Sequence, residues 1–161
     1  MILKKLIGFI FLVGMITTAC HTNVTKAGSI PGKNSLQKTE NTSGPLTLSF
    51  SKSSYAESDT IKLSLVNKSG SDVTIALRCG HYLEMSYQVQ VNGHWSENKE
   101  LSYMMLKCPT HSHTINPHET YEWSLPSALF NAKGSFRLLV SFSVAMDNTD
   151  HTTTSVPFEI R

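Results

Sequence analysis

Seven histidines stand in this chain of 161 residues, and His111-Ser-His113 with nearby His118 could do chemistry together. Imidazole nitrogens ligate zinc or copper. Residues two apart on a strand share a face, which would let His111 and His113 chelate one ion. His81 lies two residues after Cys79, so a bridge between Cys79 and Cys108 would bring it towards the other two. One reading is a metal site drawn from His81, His111, His113 and His118. The simpler reading is a polar loop from Pro109 to Pro117 whose histidines are solvated and which offers no Asp or Glu as a further ligand. A zinc site using the cysteines as well would need reduced thiols, and a pH response through imidazole protonation is the remaining use of such a cluster.

Other chemistry has less to build on. The chain has no Gly-x-Ser-x-Gly elbow, no His-Glu-x-x-His pair and no phosphate-cradling glycine loop. Glu119 and Glu122 could flank a substrate as acid and base, but they and Glu97 and Glu100 fall where turns and solvent faces are expected. Tyr82, Tyr87, Trp95 and Tyr103 offer faces for carbohydrate stacking, and packing inside a β-sandwich accounts for at least half of them. We expect no enzyme, no catalytic residue and no cofactor. Nor is a nucleic-acid partner expected, since 14 basic against 12 acidic residues is no basic footprint.

The N-terminus sets the compartment. Lys4 and Lys5 precede an apolar run from Leu6 to Ile16, too short to span a bilayer as a helix and suited to a signal peptide over residues 1–19. Without those two lysines the basic and acidic residues balance. The small residues before Cys20 resemble the lipobox of bacterial lipoproteins, with Thr17 in place of the usual Leu. The resemblance implies that Cys20 is lipidated and becomes the new N-terminus. Several acyl chains hold a protein on a membrane where one is marginal. His21 replaces the Asp that resembles an inner-membrane retention signal, so the expected location is the outer membrane, facing the periplasm, if the cell is Gram-negative. With Cys20 acylated, Cys79 and Cys108 remain as a pair for a disulfide in an oxidising compartment. A loop of that length is worth roughly 3.6 kcal/mol in the chain-entropy picture.

The elements that must position these residues follow from texture. Residues 20–45 are rich in Thr, Ser, Asn, Gly and Lys, with no aromatic residue, and read as a flexible tether. From Leu46 the chain changes to period-two runs: Leu46–Phe50, Ile61–Leu65, Val73–Leu77, Tyr82–Val91, Tyr121–Leu125, Phe136–Val144 and Val156–Ile160. Asn67-Lys-Ser-Gly70 and Asn92-Gly93 are turn signals, and Ser127–Ala132 reads as a helical turn. Seven to eight short strands over residues 46–161 predict an all-β, antiparallel β-sandwich. Its expected core contains Leu48, Phe50, Ile61, Leu63, Leu65, Val73, Ile75, Leu83, Trp95, Trp123, Leu125, Phe136, Leu138, Val140 and Phe142.

The order of these features resembles a bacterial immunoglobulin-like domain of small envelope lipoproteins. It rests on Ile61–Asn67 with its turn, Cys79 after Val-Thr-Ile, Gly93-His-Trp95, Cys108, Asn116-Pro-His118-Glu-Thr120 and Gly134-Ser-Phe136-Arg-Leu138. His118 stands where that family commonly has Gly, and Phe136 where it has Tyr. The resemblance implies an immunoglobulin-like sandwich acting as a binding or spacer module, with an envelope protein as partner. A weaker resemblance, to the β-domain of an intracellular proteinase inhibitor, implies proteinase inhibition; the alternative function carried from the sequence is inhibition of a proteinase or lysozyme by insertion of the segment Ser96 to His113, stapled by the disulfide.

Overall fold

The computed structural model describes residues 44–147 and 149–161. The expected signal peptide, Cys20 and nearly all of the expected tether lie outside these residues. Among them the strands are β1 (Leu46–Phe50), β2 (Ser54–Tyr55), β3 (Thr60–Asn67), β4 (Val73–Arg78), β5 (Tyr82–Leu83) and β6 (Met85–Val91). They continue with β7 (His94–Trp95), β8 (Lys99–Glu100), β9 (Thr110–Ile115), β10 (Thr120–Pro126), β11 (Gly134–Val144), β12 (Asp150–Thr154) and β13 (Phe158–Ile160). Two 3-10 turns, Ser102–Met105 and Ser127–Phe130, complete the elements.

The described residues form an all-β sandwich. One sheet has the order β1-β3-β10; the other is built around β11, which pairs with β12 and β13 on one side and with β4 and β6 on the other. Alternation explains the layering. In β3, Ile61, Leu63 and Leu65 are buried, while Lys62 is exposed and Ser64 half-buried; β4 repeats the pattern with Val73, Ile75 and Leu77. The two inner faces meet in a single core, with Phe50, Tyr55, Phe130, Phe136 and Phe158 packed as a group of rings.

Five features differ from the sequence expectation, the first being that the described residues form thirteen strands, four of them of only two residues, where seven to eight were expected. The sandwich is not purely antiparallel, because β13 pairs in parallel with β2. The segment from Pro109 to Pro117, expected as a loop, contains β9, which pairs along its whole length with β4. The run Tyr82–Val91 breaks at Glu84 into β5 and β6. Trp95 and Trp123 are half-buried, since Trp95 lies on a short hairpin and Trp123 on the edge strand β10; the other expected core residues are all buried. The Asn92-Gly93 turn forms as expected, with φ of 51° and 80°.

Candidate functional site

The interruption between β5 and β6 belongs to a larger departure from regular pairing. β4 pairs with β11 through Val73–Ile75, and β6 takes up pairing with the same strand at Met85. Between them the chain leaves β11 and returns, with the end of β4 paired to β9 and β5 instead. Leu77 faces Leu83, Arg78 faces Tyr82, and the Glu84 N–H donates to the Ala76 carbonyl at 2.9 Å to close the neck. At the tip, Cys79 and Gly80 have φ of 55° and 77°. Glycine takes that conformation freely, whereas a cysteine there needs support.

The support comes from three directions. The Cys79–Cys108 disulfide, with Cα atoms 5.2 Å apart, joins the tip to the chain entering β9, as the cysteine arithmetic predicted, and the Cys79 N–H donates to the Pro109 carbonyl at 3.0 Å. Arg78 donates from Nε and Nη2 to the Leu106 carbonyl at 3.1 and 2.7 Å and from Nη1 to Thr110 Oγ1 at 3.3 Å, while Glu84 accepts from Thr110 Oγ1 and lies 3.8 Å from Arg78 Nη1. On the inner side, Trp123 Nε1 donates to the His81 carbonyl at 2.9 Å, Tyr82 stacks on Tyr103 at 5.0 Å, and Tyr103 meets Trp123 edge-on at 6.2 Å. The Tyr103 hydroxyl donates to the Leu83 carbonyl at 2.7 Å, and burial, with Glu84 nearby, pushes its pKa up.

This framework holds an apolar surface out in solvent. Met105 is 81% exposed, Leu106 42% and Tyr82 38%. Single exposed apolar residues are ordinary, but here the Leu106 carbonyl is held by Arg78 and by the Cys108 N–H at 3.1 Å, beside the disulfide, so Leu106 is presented in a fixed shape with Met105 next to it in the chain.

The histidines are partly brought together. His111 and His113 pair with Leu77 and Ile75, whose buried side chains define the inner face, so both project to that face. His81 lies edge-on to Tyr82, next to Gly80, where an added Cβ would come within 3.5 Å of His111 Cδ2; the staple therefore does bring the His81 segment beside His111. His113 instead packs on Tyr121 at 4.5 Å. His118 occupies the turn beyond the other end of β9, at φ of 66°. Among the described residues no three His, Cys, Asp or Glu side chains converge to hold a metal ion.

The carboxylates are used structurally. Glu119 accepts from the Asn116 backbone N–H at 2.9 Å and its side chain at 2.7 Å, which lower its pKa, and Glu122 accepts from Ser64 Oγ at 2.7 Å. The four aromatics considered for carbohydrate stacking do not share a surface. Tyr87 packs on Phe130 and Phe136, Tyr103 is buried, and Arg137 lies 4.5 Å over the Trp95 ring. No feature of the sequence pointed to Arg78 as a clamp or to Met105 and Leu106 as an exposed pair.

Among the described residues no helix is long and apolar enough to cross a membrane. Comparison with known proteins gave no matching family model and no similar curated protein.

Proposed function

We propose that this chain is a non-enzymatic, lipid-anchored protein of the bacterial cell envelope whose sandwich binds another envelope protein as an accessory module. The observation that carries the reading is the stapled excursion. A disulfide, an arginine clamp and a tyrosine–tryptophan cluster hold Tyr82, Met105 and Leu106 towards solvent. A preorganised apolar group binds with little ordering cost, which is how a small surface gains affinity. The lipobox-like sequence before Cys20 supports the anchor, and His21 supports outer-membrane delivery if the cell is Gram-negative. The immunoglobulin-like reading rests on the order of turns and strands, with His118 adopting the left-handed φ that the Gly of that family would supply.

The test replaces Met105 and Leu106 by Asp in the full chain and compares what co-purifies from crosslinked cells with the native protein. A partner held by the native chain and lost from the variant supports the reading; an unchanged set of partners overturns the assignment of this surface. Cys20→Ser is expected to release the chain from the membrane fraction, and persistent attachment would contradict lipidation at Cys20. The same projecting segment suits a second reading, inhibition of a proteinase or lysozyme by insertion. Stoichiometric slowing of one such enzyme by the native chain, lost in the variant, would favour it over the accessory role.

A further inference from the structure

The sandwich has two long open sides, and they are treated differently. On one side lies β1, which is buried at all five positions, beside β12. On the other side, among the described residues, β9 pairs only with β4 and β10 only with β3.

Hydrogen-bond phase shows which groups β9 leaves free. The Cys79 N–H donates to the Pro109 carbonyl just beyond the β4–β9 ladder. In an antiparallel ladder the bonded pairs alternate. Leu77 with His111, Ile75 with His113 and Val73 with Ile115 are therefore the bonded pairs. The backbone N–H and C=O groups of Thr110, Ser112 and Thr114 turn away from β4, and all three residues are exposed. Among the described residues no strand accepts them. The edge also lacks the usual protections, having no lysine, no proline and no glycine between Thr110 and Ile115.

The free groups are symmetric about Ser112. A second copy laid antiparallel along this edge places Ser112 opposite Ser112 of the partner subunit and Thr110 opposite Thr114 of the partner subunit, so every outward backbone group meets its complement. The same register places His111 opposite His113 of the partner subunit, and His113 opposite His111 of the partner subunit. These are non-hydrogen-bonded pairs, whose Cα atoms approach to about 4.5 Å and whose side chains are closest. All four imidazoles project to one face. A single chain supplies two, too few for a closed site; the two-fold pair supplies four nitrogen ligands, the number a tetrahedral zinc site takes.

We propose that two copies of this chain pair edge to edge through β9 and that His111 and His113 of both copies bind one zinc-class divalent ion across the two-fold axis. The occupant of the edge is this chain itself, because the register that satisfies its backbone is also the one that completes the ligand set. The inference stands apart from the proposed function, since it uses neither the exposed tip nor the lipid.

The experiment is sedimentation equilibrium of the full chain in detergent at pH 7.5, with and without zinc chloride, alongside a zinc titration. The expected result is a zinc-dependent dimer binding one ion per two chains, reversed by a chelator. His111→Ala with His113→Ala should remove both the binding and the zinc-dependent dimer. Ser112→Pro deletes an outward N–H and spares the bonds to β4; it should weaken the dimer at least tenfold while circular dichroism keeps the native strand signal. One zinc per monomer without association would overturn the proposal, as would a dimer indifferent to zinc and to the two histidines. Absence of zinc binding at micromolar concentration would also overturn it.

Discussion

Burial of the Tyr103 hydroxyl against the Leu83 carbonyl makes that residue the ionisable group most bound to the fold. Its proton is held more tightly in the folded than in the unfolded chain, where the pKa is near 10. Stability from this source is therefore complete below pH 10 and is lost as pH rises through the folded value, by about 1.4 kcal/mol per pH unit between the two. Tyr103→Phe should cost about 1–2 kcal/mol at pH 7, through the unpaired carbonyl, and should flatten the alkaline decline; urea unfolding at pH 7 and above pH 10 measures both. His118 bears a different strain, because φ of 66° disfavours a side chain with Cβ. His118→Gly should raise stability by about 0.5 kcal/mol, relief of strain slightly exceeding the entropy gained by the unfolded chain, and thermal unfolding would show it. At this scale the sequence disclosed the cysteine pair; the shared face of His111 and His113 needs the strand β9, where the sequence favoured a solvated loop. It could not disclose Tyr103, whose partner is a backbone carbonyl twenty residues away.

Strands whose inner positions are apolar were legible, and strands whose positions are polar were not. β3, β4 and β11 alternate plainly, because each buries Leu, Ile, Val or Phe at every second residue. β9 reads Thr-His-Ser-His-Thr-Ile and β12 reads Asp-His-Thr-Thr-Thr, so neither shows a hydrophobic period; each is fixed by the neighbour that accepts its backbone. Trp123 was placed on the correct face, but β10 ends its sheet, so the ring is only half covered. The turn after β3 was also legible, though its reach was not. Buried Asn67 donates from Nδ2 to the carbonyls of Ser71 at 2.8 Å and Ile115 at 2.9 Å, and its Oδ1 accepts from Ser69. It thereby ties the turn to the end of β9. Asn67→Ala should destabilise the domain by about 2–4 kcal/mol, since it strands several polar groups at once; a loss below 1 kcal/mol in urea unfolding would contradict this role.

For the whole molecule, composition and strand spacing were enough for the sandwich, because a chain of short amphipathic strands can bury its apolar faces only by stacking two sheets. What they could not supply is the difference between the buried edge at β1 and the exposed edge at β9, or the excursion the chain makes between the pairing of β4 with β11 and that of β6 with β11. Both depend on pairings between residues far apart in sequence. The excursion is the feature on which the functional account turns, and it makes one surface unlike the rest. The direct measurement is a photocrosslinking residue placed at Met105 in the full-length chain in living cells. The control position is Val91, which is 55% exposed on the β6–β7 hairpin. The account predicts one dominant protein adduct at Met105, weak or absent at Val91 and lost when Cys79 and Cys108 are both replaced by Ala. Equal labelling at the two positions, or no adduct at Met105, would contradict it.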